Sequence, residues 1–409
     1  MNEKEIVVGL DVGTTKVCTI VGLKHPDKET EIIGIGNHPS HGLKKGSVVN
    51  IEKTVRSIEC SVEEAKLMSG VNIAKATIGI AGNHIYSFNS TGVVAIKGNE
   101  ITQDDIDRVI EAAKAVVIPS DREILHVIAQ EYKVDNTPGI KDPIGMCGVR
   151  LEAKVHIVTG AISLIQNLVK CVEQAGVKTE NIILQPIASS EAVILSEEKE
   201  MGVVLVDIGG GTTDVAIWKD NSLLHSQIIP VGGNHFTNDL AVSLKVPHPE
   251  AERIKMNHGS VLVDKMNETE HVSIQGINGS PSREILVNHI AEILGARAHE
   301  LFQLVQDIID EQNIEEELTG GIIITGGGSL IKGLPQLAEF SFARPTRIGF
   351  PVPFGGMTNV MQNPKYSTVL GLLLDAGDNV KKEEKIELIP SDIISRFSRS
   401  IKSVFRELF

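Results

Sequence analysis

One strand–turn–strand pattern occurs twice in the chain, roughly 200 residues apart, and it constrains the fold more than any other feature. Ile6 to Val21 reads IVVGLDVGTTKVCTIV, and Val203 to Trp218 reads VVLVDIGGGTTDVAIW. Each copy is an apolar run ending in Asp, a Gly/Thr turn and a second β-branched run, which predicts a β-hairpin. The separation exceeds any solenoid period. The chain is therefore expected to hold two related halves, each opening on the same hairpin. Helical patterns over 55–69, 164–175 and 188–195 alternate with strand patterns at 76–81 and 182–184. That alternation predicts α/β layers.

Two stretches interrupt it. Residues 84–160 carry strand patterns at 92–96, 129–134 and 155–159 and one helical pattern at 103–116, opened by a Thr102/Asp105 start box. Residues 240–306 hold two helical patterns around a polar, turn-rich strand region. The domain plan that follows has a first core of 1–83 and 161–198 with an inserted subdomain at 84–160. The second core is 199–239 and 307–366, with its own subdomain at 240–306. A helix at 367–374 returns to the first core, 375–390 is a charged linker, and 391–409 is a terminal helix.

Composition excludes several classes of function. The net charge of −14 repels phosphodiester backbones, and aromatics are only 3% of the chain, so a nucleic-acid partner is not expected. Cys18, Cys60, Cys147 and Cys171 form no CxxC pair, and they read as free, mostly core thiols in a reducing compartment. His84, His126 and His156 read as strand or loop residues rather than metal ligands. No basic-then-apolar leader opens the sequence, and no apolar run approaches the roughly 18 residues of a membrane span. The expectation is a cytoplasmic protein that meets a membrane only from its surface.

The turns carry the chemistry. The first runs Asp11, Val12, Gly13, Thr14, Thr15, Lys16, and the second Asp207, Ile208, Gly209, Gly210, Gly211, Thr212, Thr213, Asp214. Small turns free backbone N–H groups for phosphate oxygens, and a strand-end carboxylate holds Mg²⁺ through its waters. Each turn alone is equally well a plain hairpin. As a pair opposed across a cleft they make a polyphosphate clamp. A third block, Ile322 to Ser329, runs from a buried strand into Gly326, Gly327 and Gly328, where a flat ligand can lie against bare backbone. The bland alternative is a flexible strand-to-helix turn.

Together with Gln185-Pro186, these blocks resemble the actin/Hsp70/sugar-kinase ATPase superfamily. The resemblance implies an actin-like two-domain α/β fold around ATP and Mg²⁺. It makes Gln185, which orients the attacking water, and Asp207 the candidate catalytic residues. Asp11 and Asp207 become the magnesium-side carboxylates, and Glu252 and Lys255 flank the ribose and adenine. The segments GLDVGTTKV, IPSDREILHVIAQEYKVD, DPIGMCGVRLEAKVHIVTG and ITGGGSLIKGL are similar to the FtsA family of bacterial cell-division proteins. That resemblance implies an FtsA-type inserted subdomain, self-association into polymers, and weak or slow hydrolysis at most. It also implies capture of the FtsZ C-terminal peptide near Arg297, other division proteins as further partners, and a place on the cytoplasmic face of the cell membrane at the division site. By default, Arg297 and Glu300 form a charge pair on one helix face.

The end of the chain bears on the choice within the superfamily. Ile393, Ile394, Phe397, Ile401, Val404, Phe405 and Leu408 fall on one helical face, flanked by Arg396, Arg399, Lys402 and Arg406. A basic, Phe-bearing amphipathic helix on a charged tether suits an anionic membrane surface. The alternative is a terminal helix docked on its own body. A pilus-assembly scaffold of PilM type and a small-molecule kinase of the same superfamily remain as rival readings.

Overall fold

The computed structural model describes residues 5–25, 28–263, 269–274, 282–314, 317–352, 354–356 and 362–382. Two sheets share one design. In the first, Glu5–Val12, Lys16–His25 and Lys28–Pro39 form an antiparallel meander. Lys75–Ile80 lies parallel to the first of these strands, and Lys178–Leu184 lies parallel to that one. Gly355–Gly356 closes the far edge. In the second sheet, Val203–Ile208, Thr213–Lys219 and Ser222–Ile229 form the meander, and Gly321–Thr325 and Thr346–Ile348 add in parallel. The repeat in the sequence is thus a repeat of sheet topology.

Strand alternation sorts the side chains into layers. Val8, Leu10 and Val12 pack outward beneath Ile51–Ser69 and Ile162–Gln174. Val204, Val206 and Ile208 pack outward against Val287–Gln312 and Gly233–Leu244. Val7, Val203 and Leu205 point inward to a shared layer with Ala192, Val369, Leu370 and Leu373. That layer is built from Gln185–Val193 and Ser367–Lys382, which lie between the two sheets. These helices touch backbone to backbone, and a Cβ on Gly371 would fall 1.7 Å from the Ala188 carbonyl oxygen.

Helix ends follow local chemistry. Ile51–Ser69 begins four residues before its apolar pattern because the Asn50 side chain accepts the Lys53 N–H at 2.9 Å. It stops at Gly70, at φ +69°. Gln103–Lys114 opens where the sequence predicts, with the Asp105 carboxylate accepting both the N–H and the hydroxyl of Thr102 at 3.0 and 2.9 Å. The last described helix does not stop at Leu374 as its apolar run implies. It continues to Lys382 through a sequence that has no proline before Pro390. The rest of the linker and all seven apolar tail residues from Ile393 to Leu408 lie outside the described residues. The thiols are free, but only Cys18 and Cys171 are buried. Cys147 is exposed, in the segment that leads into Arg150–Ala161 of the inserted subdomain.

The inserted sheet runs in the order Ile85–Ala95, Arg150–Ala161, Arg122–Val134, Thr137–Ile140, with Gln103–Lys114 on one face. It meets Ser222–Ile229 of the second sheet along a polar seam. Gln130 Nε2 donates to the Leu223 and Leu224 carbonyls, both at 2.9 Å. His156 bonds Asn89 Oδ1 at 2.8 Å and Ser226 Oγ at 2.9 Å. On the first half, His126 Nε2 accepts the Leu184 N–H at 3.0 Å. Burial keeps these rings neutral, with His126 pushed down to about 4 and His156 to about 3.

Candidate functional site

The two repeated turns close with the same bond and touch each other. Gly13 N–H donates to the Lys16 carbonyl at 3.0 Å, and Gly209 N–H donates to the Thr212 carbonyl at 2.9 Å. A Cβ on Gly210 would lie 2.2 Å from Thr15 Cγ2, and one on Gly211 would lie 2.6 Å from Thr14 Oγ1. Glycine is required there by the neighbour across the cleft. Gly233–Leu244 starts against the second turn, its Gly233 and Asn234 N–H groups bonded to the Gly209 and Gly210 carbonyls at 2.8 Å.

Behind the turns sit buried carboxylates. Asp11 ends the first strand of its half, receiving Gln185 Nε2 on Oδ1 at 2.9 Å and Lys16 Nζ on Oδ2 at 3.2 Å. Burial, the largest single influence, lowers the Lys16 ammonium, but the charge and hydrogen bond of Asp11 together with the weaker influences of Cys18 and Tyr366 exceed it and hold the group above its usual range. Asp207 ends the equivalent strand. Burial pushes its carboxyl up, against a hydrogen bond from Ser189 at 2.5 Å. Asp214 faces Asp207 across the hairpin, buried, with Oδ1 lacking any hydrogen-bond partner. Burial first, then the charges of Asp207 and Asp11, drive it well above the carboxylate range. In the sequence Asp214 closes the second turn and is not among the candidate site residues. The signal was present in its register opposite Asp207.

The glycine loop divides by role. Gly326 has φ +81°, and a Cβ there would meet Asp207 Oδ1 at 2.2 Å. A Cβ on Gly328 would meet Ile208 Cγ2 at 2.3 Å, whereas Gly327 faces only Lys365, at 3.8 Å. So Gly326 and Gly328 serve packing, and Gly327 alone offers open backbone. Lys365 and the Tyr366 ring, which the sequence reading did not single out, border this opening. The ring centroid lies 5.7 Å from Lys16 Nζ and 4.8 Å from Lys365 Nζ.

Not every candidate has its polar group free. Thr213 Oγ1 is spent on the Val231 carbonyl at 2.8 Å, and Thr14 Oγ1 accepts the Gly46 N–H at 3.2 Å. Thr15 is exposed. Glu252 and Lys255, on His248–His258, pair at 2.7 Å, and Lys255 Nζ reaches the Gly233 carbonyl at 3.1 Å. They therefore stand one helix start away from the second turn. Arg297 lies apart on the outer helix Val287–Gln312, gripped by Asp239 through both Nε and Nη2, and by Glu300. Its default pairing with Glu300 is present, and Asp239 is an unforeseen second partner.

Among the described residues, no three His, Cys, Asp or Glu side chains converge as a direct metal cage. An oxygen-rich pocket with an orphaned Asp214 oxygen fits a hydrated Mg²⁺ carried by phosphates, since Mg²⁺ keeps several waters and uses one or two carboxylates.

Solved structures place this architecture in a class. The PilM-PilN type IV pilus biogenesis complex is similar over 91% of this chain and 98% of that one, with a TM-score of 0.67 at 16% identity. MreB 5 of Spiroplasma citri bound to AMPPNP is similar over 93% and 98%, with a TM-score of 0.58 at 16% identity. The fold is the actin-like one of bacterial ATPases. Cell division protein FtsA of Pseudomonas aeruginosa is 46% identical over 370 residues, 90% of this chain and 89% of the relative. That of Borreliella burgdorferi is 42% identical over 396 residues, 95% of each. The family "Cell division protein FtsA" matches residues 204–371, and "SHS2 domain inserted in FTSA" matches 82–159. The chain belongs to the FtsA family of cell-division proteins.

Proposed function

We propose that this protein binds Mg·ATP between its two halves, self-associates, and ties the FtsZ ring to the cytoplasmic membrane through residues 391–409. The observation that carries the nucleotide reading is the contact of two identically closed turns at Gly210–Thr15 and Gly211–Thr14, with Asp11, Asp207 and Asp214 buried behind them. In this reading the phosphates part the turns and take their backbone N–H groups, with Lys16 supplying positive charge. Bound Mg²⁺ supplies charge neutralisation at the phosphates. Asp11 and Asp207 hold its waters, and Gln185, fixed by Asp11, orients a water for slow hydrolysis. Glu252 and Lys255 border the ribose, and adenosine lies on Gly327.

Arg297 meets the FtsZ peptide by exchanging Glu300, the more exposed of its two partners at 55% against 24% for Asp239. Among the described residues no helix is long and apolar enough to cross a membrane. The proposed anchor is the amphipathic tail, whose basic residues each add roughly 1 kcal/mol on an anionic leaflet. The pilus-scaffold reading has fold likeness alone behind it, and a kinase has no use for the tail.

Co-sedimentation with anionic vesicles, with and without residues 391–409 and with and without FtsZ tail peptide, tests the tether. The full chain should pellet and carry the peptide down, and the truncated chain should stay in solution with its ATP binding intact. Phe405→Glu places a charge at the centre of the apolar face and should release the chain in the same way. Undiminished pelleting of that variant overturns the anchor.

A further inference from the structure

Two hydroxyls converge on one oxygen of Asp207. Ser189 Oγ donates to Oδ2 at 2.5 Å, Thr368 Oγ1 donates to the same oxygen at 3.2 Å, and the two hydroxyls stand 3.1 Å apart. They come from the two helices of the shared layer, Ser189 from Gln185–Val193 and Thr368 from Ser367–Lys382. The other oxygen, Oδ1, faces Gly326 of the glycine loop, too close for a Cβ to intervene. The carboxylate is therefore held with one oxygen toward the helices and one toward the loop.

We infer that Ser189 and Thr368 are positioning residues that set the Asp207 carboxylate and couple the nucleotide pocket to the helix Ser367–Lys382. The inference rests on the nucleotide reading above and adds a regulation to that site. Three further contacts make the helix move with the pocket. Ser367 Oγ lies 2.6 Å from Thr325 Oγ1, on the strand that leads into the glycine loop. Gly371 sits against the Ala188 backbone, and a Cβ on Gly9 would meet the Val369 carbonyl oxygen at 2.7 Å. With no side chain between these backbones, the helix does not slide on its neighbours without also shifting Ser189, Thr325 and Asp207.

A load on Asp207 from a hydrated Mg²⁺ thus reaches the helix from which residues 383–409 continue. Coupling free energy is reciprocal, so a displacement of that helix changes the affinity for Mg·ATP by the same factor. Thr368 is only half-buried, so an isosteric valine there removes the hydroxyl without opening a cavity. Ser189 is fully buried, and its alanine variant removes the second hydroxyl from the other helix.

The test uses the full chain with Thr368→Val, Thr368→Ser and Ser189→Ala beside the parent. Calorimetry gives Kd for Mg·ATP and for ATP with chelator, and hydrogen exchange follows residues 367–382 with and without Mg·ATP. The valine and alanine variants should each bind Mg·ATP about tenfold more weakly, the energy of a hydrogen bond to a charged group, with the chelator value unchanged. They should also lose the exchange protection that Mg·ATP gives the helix in the parent. The serine variant should match the parent in both measurements. Equal affinities and equal exchange in all four proteins overturn the coupling and leave nucleotide binding standing. Failure of the parent itself to bind Mg·ATP overturns the nucleotide reading and the coupling together.

Discussion

The turn at Gly13 and the turn at Gly209 differ in cargo while sharing a backbone closure. Position for position, the first carries Thr14, Thr15 and Lys16 where the second carries Gly210, Gly211 and Thr212. The side chains of one turn occupy the space that the other leaves bare. Their supports differ too. Asp11 is gripped by a lysine and an amide, Asp207 by two hydroxyls, and the second hairpin adds Asp214, whose Oδ1 has no hydrogen-bond partner. A duplicated hairpin has kept its main chain and divided its side-chain duties. One copy provides bulk and a lysine, and the other provides room and a second aspartate.

The strongest way to break this division is to fill the bare side. Gly210→Val puts a branched side chain where Thr15 already lies and forces the halves apart. Mg·ATP affinity should fall by about 100-fold or more, with a lower melting temperature from overpacking. Adding Thr15→Ala should return part of both, and no change in either quantity means that the turns do not meet.

Removing charge from the second copy comes next. Asp207→Ala should weaken Mg·ATP by about 30-fold in calorimetry while barely changing ATP with chelator, since only the metal-side charge is lost. An equal loss with and without Mg²⁺ assigns Asp207 to structure instead. Gly327→Val should cost about tenfold in affinity at an unchanged melting temperature, because its Cβ enters open space. The same change at Gly326 should lower the melting temperature sharply, and parity between the two variants removes the division of roles within the loop.

The smallest effect compares the turns with another contact between halves, the polar seam at Ser222–Ile229. His156 is held neutral there, first by burial and then by His225 and His126, with its pKa pushed down to about 3. The unfolded ring, near 6.5, takes up a proton that the folded ring refuses. Stability should therefore be full above about pH 7 and fall by about 1 kcal/mol by pH 5.5 on this account. In denaturant titrations His156→Gln should show a shallower fall over the same range. An identical slope in both proteins removes His156 from the balance.

Much of this was legible in the sequence because it is local. The hairpins, their strand-end aspartates, the start of the helix at Thr102 and the glycine loop all announce themselves within a few residues. What stayed hidden is made by side chains distant in the chain. Ser189 lies in QPIASSEAV, where only the Gln-Pro start draws notice, and Thr368 lies in KYSTVLG, and neither hydroxyl carries a pattern that points to Asp207. The three loop glycines read alike in sequence, and only the neighbours of each Cβ tell packing from opening. The helix end was misplaced for a different reason. The run of large apolar residues stops at Leu374, but the helix stays in the layer between the sheets through Ala376 and its backbone continues to Lys382.

The burial of Val369, Leu370, Leu373 and Ala376 of this helix in the layer between the two sheets has a mechanical consequence. A pull on the chain beyond residue 382 enters the body along the axis of a helix clamped on both flanks, by Val369, Leu370 and Leu373 in one layer. Such a load acts in shear, so these contacts must yield nearly together rather than peel one by one. Resistance to force then depends on the unfolding barrier more than on equilibrium stability. A protein hauled upon at that end would keep its fold at tensions that strip a terminal strand from the edge of a sheet.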